Sequence, residues 1–174
     1  MGPSEQLLKL LLATFPPQPL PTRFFWKYSG SDNSDEFSHD LLQWFARRPW
    51  TEIKIRDWAM TGHVGVIREL LEPAAFLYYL PSLLFAAAQE PEYLEWALEA
   101  ILPCGRDRKP KSKWWIQLLD TITPDQIETL LSFLAHVRFI FPRSEPFAVG
   151  VDEALASQAE IFWNTRRSSL PDRS

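Results

Sequence analysis

The chain has 174 residues, a formal net charge of −4 at pH 7 and a pI near 5.4, with 46% hydrophobic and 23% charged residues. That length suits a single domain burying roughly 70% of its unfolded surface, and no apolar run in it reaches the length that a transmembrane helix needs. The single cysteine, Cys104, excludes an internal disulfide and suits a reducing cytoplasm.

Aromatic residues make up 14% of the chain, and its 15 prolines outnumber its 6 glycines. Large rings bury much area per residue, and proline stiffens connections at φ. The opening "MGPSEQLLKLLLATF" lacks a basic leader and a small-residue cleavage site, so a first helix is expected there rather than a signal peptide. Pro3 argues against a myristoylation start. Ser4 is the expected cap. Leu7, Leu8, Leu10, Leu11 and Leu12 run nearly all round the helix, which predicts heavy burial. "FPPQPLPTRFF" (15–25) forces extended backbone, and "SGSDNSDEFS" (29–38) is expected as a polar loop ending in a cap.

Phe37, Leu41, Leu42 and Phe45 then recur at helical spacing up to Pro49. Residues 50–72 offer one or two helices broken near "TGHVG" (61–65). Pro73 starts another helix, and Pro81 is expected to restart it, since proline sits well in a first turn. Pro91 does the same for 91–102, a loop covers 103–113, and "WWIQLLD" forms a short helix. "TPDQIETLLSFLAHV" (123–137) carries the strongest helix signal. Thr123 and Gln126 make a capping box, Pro124 takes the first position, and Ile127, Leu130, Leu131, Leu134 and Val137 form a stripe. A last helix is expected over roughly 152–167. Alternating β-branched runs and hairpin dipeptides are absent from the sequence. The expected fold is all-α: a single irregular helical domain over 1–150, with an aromatic-rich core and Pro-rich connections, and a C-terminal helix and frayed tail over 151–174.

Catalytic signatures give little. The sequence has no G-x-S-x-G elbow, phosphate-cradling glycine loop or H-E-x-x-H. His39, His63 and His136 are scattered, and one cysteine cannot build a thiolate zinc site. Neither a cofactor nor a metal is expected. Arg106 and Arg108 stand close enough in sequence to favour a Cys104 thiolate, but no base is placed to assist it. The acid pairs Asp35-Glu36 and Asp152-Glu153 sit where helices begin, where the helix dipole stabilises negative charge.

Three stretches are candidate sites. The loop residues Arg106, Arg108, Lys109, Lys111 and Lys113 precede Trp114 and Trp115, a combination that can hold a nucleic-acid backbone and stack bases. The acidic pI makes a solvated loop anchored by its tryptophans the plainer alternative. On 91–102, Tyr93, Leu94, Ala97, Leu98 and Ile101 share one side while Glu92, Glu95 and Glu99 share the other with Trp96 beside them. A tryptophan among carboxylates can anchor a basic protein partner; alternatively Trp96 packs under a neighbouring loop. Finally, Tyr78 and Tyr79 could line an apolar ligand pocket, or sit in the core with their hydroxyls tied to backbone.

The segments "LLATFPPQPLP", "WTEI" (50–53), "LEPAAFLYYLPSLL" (71–84) and "LDTITPDQIETLLSFLAHV" (119–137), with an acidic loop between the first two, together resemble an uncharacterised bacterial family, number 6714 among the domains of unknown function. The resemblance covers roughly residues 7–137 and leaves the tail beyond it unmatched. It implies an all-α fold in a bacterial, cytoplasmic protein and carries over no catalytic residue. The leading expectation is a non-catalytic, partner-binding protein of inhibitor, immunity or accessory-subunit type, acting through the acidic face. A sensor or enzyme using the tyrosines, and nucleic-acid contact through the basic loop, are the alternatives.

Overall fold

The computed structural model describes residues 2–27, 36–140 and 151–170. Among them it forms nine α-helices and no strand. They are α1 (Pro3–Thr14), α2 (Glu36–Trp44), α3 (Ile55–Thr61), α4 (Val64–Ile67), α5 (Pro73–Gln89), α6 (Leu94–Ala100), α7 (Lys113–Thr121), α8 (Pro124–Ile140) and α9 (Val151–Ser168). Short 3-10 turns at 50–52, 68–70 and 91–93 join several of them. The fold is all-α. Of the polar loop expected over 29–38, residues 36–38 are already helical in α2, while 29–35, the last four residues and the side chains of Glu36, Phe37 and Asp152 lie outside the described residues.

Helix α5 is the central element, in contact with α1, α3, α6, α7 and α8. It runs unbroken through Pro81, where a restart is expected from sequence. An internal proline costs about 3 kcal/mol. The buried side chains of Phe76, Leu77, Leu80, Leu83 and Leu84 outweigh that, since each is worth about 1.5–3 kcal/mol. Packing on every side holds the helix together across the missing hydrogen bond.

Helix α1 departs from expectation in two ways. Gly2, not Ser4, takes the cap position, because Pro3 already fits the first turn. Leu7 and Leu11 are buried against α5 and α8, whereas Leu10 and Leu12 remain 37% and 39% exposed. Among the described residues, the Leu10 and Leu12 positions are left partly open to solvent.

The Pro-rich connection that follows has many carbonyls and few N–H groups. Aromatic side chains supply the donors: Trp50 Nε1 reaches Phe15 O at 2.7 Å and Tyr78 OH reaches Pro17 O at 2.6 Å. Further on, Trp26 N donates to Leu70 O and Glu72 N to Phe24 O, lacing the segment to the start of α5. The break expected at 61–65 is present. Gly62, at φ 102°, ends α3, and His63 Nδ1 caps α4 by accepting from Gly65 N.

The capping box of α8 forms as its sequence predicts, with Thr123 Oγ1 accepting from Gln126 N and Gln126 Oε1 from Thr123 N. Helix α9 packs on α8 and α6 and buries Leu155, Ala156, Ala159 and Trp163. Its Trp163 Nε1 donates to Ile101 O at 3.0 Å, and Arg138 of α8 pairs with Glu160 of α9. In the core, edge-to-face ring pairs link Phe45 with Trp58 (4.7 Å), Phe45 with Tyr79 (5.2 Å) and Phe76 with Trp114 (5.3 Å).

Candidate functional site

Both tyrosines of α5 have their hydroxyls committed to backbone. Tyr79 is buried and donates to Phe45 O at 3.0 Å, while half-buried Tyr78 donates to Pro17 O. Burial pushes the Tyr79 phenol up to about 12, with the neighbouring Tyr78 adding to the effect. Neither hydroxyl proton is free for a ligand.

The helix expected from Pro91 starts as a 3-10 turn, in which Glu92 is exposed and Tyr93 only half-buried. In and just after α6, Glu95 is exposed while Leu94, Ala97, Leu98 and Ile101 are buried, as the 100° spacing predicts. Trp96 is half-buried, with the His63 ring 6.2 Å away on α4's cap and the Tyr93 ring 5.8 Å away. Glu99 does not join this surface. Arg108 folds back from the loop and grips both Glu99 oxygens, at 3.0 and 2.9 Å, while donating also to Pro103 O and Gln158 Oε1. One residue of each charged candidate site is therefore used up by the other.

Trp114 and Trp115 are buried, and Trp114 Nε1 donates to Leu71 O at 2.8 Å. They anchor the loop and offer no face for stacking a base. Lys111 pairs with Asp107 at 2.6 Å, and this hydrogen bond holds the Asp107 carboxyl below its usual range. Lys113 lies in the first turn of α7, leaving Arg106 and Lys109 as exposed cations without an acidic partner at salt-bridge distance among the described residues.

These two cations border an open groove of about 490 Å³ between the loop, α7 and α9. Its walls include Pro110, Leu119, Ile161 and Phe162, and Arg166 stands at its α9 side with Nη2 donating to Leu119 O at 2.8 Å. An adjoining cleft shares Arg106, Arg108 and Gln158 with the groove and reaches Cys104. The groove was not singled out from sequence, yet α9 carried its signal. Gln158, Ile161, Phe162, Thr165, Arg166 and Ser169 fall at helical spacing on one stripe.

Arg68 was also missed, because a lone arginine in a short helical stretch gives no sign of burial. Its side chain is 0% exposed. Nη1 donates to the carbonyls of Glu99, Ala100 and Leu102 at the end of α6, and Nη2 lies 2.9 Å from Cys104 Sγ. The guanidinium also sits over the Trp115 ring at 5.1 Å. Burial lowers its pKa, Cys104, Glu69 and Glu99 counteract the shift, and Arg108 adds to it. Cys104 thus meets a cation not foreseen for it. Of the histidines, His63 is a helix cap, His39 is exposed, and burial lowers the pKa of His136. Among the described residues no group of histidine, cysteine and carboxylate side chains could hold a metal ion, and no helix is long and apolar enough to cross a membrane.

No curated protein and no solved structure matches the chain. A family of unknown function, DUF6714, matches residues 32–167. This span begins beyond α1 and the Pro-rich connection and takes in most of α9, so the matched region ends thirty residues later than the sequence resemblance suggested. The chain belongs to this family of unknown function, DUF6714.

Proposed function

We propose that this is a non-catalytic, partner-binding protein of the bacterial cytoplasm, an inhibitor, immunity protein or accessory subunit that engages a basic protein through α6. The observation carrying this is Trp96, half-exposed between the His63 and Tyr93 rings and flanked by exposed Glu92 and Glu95. A tryptophan supported by neighbouring rings loses little side-chain freedom on binding, and surrounding carboxylates speed encounter with a basic surface. Glu99, bound to Arg108, is left out of the contact set. A single unpaired cysteine and the lack of a nucleophile-and-base motif in the sequence support the compartment and the non-catalytic role.

The test is capture of the tagged chain's partners from host lysate, beside a variant carrying Trp96→Ala and Glu95→Lys. One stoichiometric basic protein, retained by the wild type and lost from the variant, is expected. Equal retention by both forms would exclude this face.

A further inference from the structure

We propose that the groove between the 103–112 loop, α7 and α9 is a second binding site, for a small apolar anion with one carboxylate-type head on a hydrocarbon body. This proposal does not depend on the α6 surface. Its volume, about 490 Å³, lies within the roughly 300–1,000 Å³ of small-ligand sites. Pro110, Leu119, Ile161 and Phe162 supply an apolar lining, and Ile161 is left 69% exposed. An isoleucine that open to water gains from any apolar body laid against it.

The charge around this lining has one sign once internal pairs are removed. Arg108 is neutralised by Glu99, and Asp107 by Lys111. Arg106, Lys109 and Arg166 remain, with no acidic partner at salt-bridge distance among the described residues. Arg166 is held by a carbonyl, which fixes its position without cancelling its charge. The expected ligand has an apolar body in the groove and an anionic head at the Arg106–Lys109 rim. A neutral or cationic ligand of the same shape would gain the apolar contact alone.

The probe is the fluorescent anion 1-anilinonaphthalene-8-sulfonate, displaced by decanoate, decanol or decyltrimethylammonium, each below its micelle concentration. Wild-type protein is compared with Arg106→Glu plus Lys109→Glu and with Ile161→Glu. All three positions are exposed, so folding should survive, and circular dichroism and melting temperature confirm it. Saturable dye binding is expected, with decanoate displacing it at a Kd about tenfold below that of decanol, and each variant weakening decanoate about tenfold. Equal affinity for the three competitors would overturn the proposal. So would variants that leave decanoate affinity unchanged, or a folded wild type that fails to bind the dye saturably.

Discussion

Arg68 brings a full positive charge into a position closed to water, and the groups around it explain why that is tolerated. Three carbonyls at the C-terminal end of α6 accept its protons, Cys104 Sγ accepts another, and Trp115 presents its ring face. A flat fork of donors can reach all of these from one place, which a lysine ammonium cannot. Arg68→Met should therefore cost about 3 kcal/mol or more, because it strands several buried carbonyls. Arg68→Lys should recover only part of this. Urea unfolding midpoints decide it, and a loss within the range of a surface ion pair would refute the account. Tyr79 allows a pH prediction. Its folded pKa of about 12 lies above the roughly 10 of a free phenol, so folding favours the neutral form. The associated stability is fully present below pH 10 and drains between pH 10 and 12, as the unfolded chain ionises first. Two pKa units bound this loss at about 2–3 kcal/mol. Tyr79→Phe should be less stable by about 1 kcal/mol at pH 7, through loss of the bond to Phe45 O. It should also show a flatter stability profile across the alkaline window.

Helix α5 shows how packing overrides a local signal. Proline at position 81 removes one backbone donor within a helix of which 13 of 17 residues are buried. Restoring the donor with Pro81→Ala should gain up to about 3 kcal/mol. It also removes buried ring carbons worth about 1–2 kcal/mol. A net stabilisation of about 1 kcal/mol follows, readable as a higher denaturation midpoint, whereas a destabilised variant would mean that the ring's packing is worth more than the missing bond. The same contrast governs what was legible in the sequence. The Thr123–Gln126 box and the stripe of α8 are local, set by residues three and four apart. The structure reproduces the box and buries Ile127, Leu130, Leu134 and Val137, with Leu131 half-buried and Phe133 joining the buried side. The continuity of α5 and the exposure of Leu10 and Leu12 depend on which neighbours pack against each face, which spacing within one helix does not encode. The candidate sites divide in the same way. Glu92 and Glu95 are exposed where helical spacing puts them, but the Arg108–Glu99 pair and the Arg68–Leu102 contact join residues separated by 9 and 34 positions. No local pattern announces such pairings.

Across the whole molecule, a net charge of −4 hides an uneven distribution along the chain. The 103–113 loop carries +4 and the rest of the chain −8, and the Arg108–Glu99 pair lies at the seam between them. Charges within a Debye length, about 10 Å at 0.1 M salt, influence one another. A reversal on one side could therefore alter binding on the other, unless the seam pair separates the two. Glu99 and Arg108 satisfy each other with two short hydrogen bonds while both side chains are largely shielded, so neither adds a free charge to its own surface. Independent surfaces are then expected. Glu92→Lys with Glu95→Lys should abolish capture of a basic partner and leave displacement of the anionic dye by decanoate within about twofold of wild type. Arg106→Glu with Lys109→Glu should do the reverse. Binding of the basic partner should also weaken steeply between 50 and 300 mM salt, because exposed carboxylates are screened. Decanoate, held in part by apolar contact, should respond less. If either charge reversal impairs both activities in a protein that remains folded, the two surfaces act as one site, and the seam pair couples them instead of separating them.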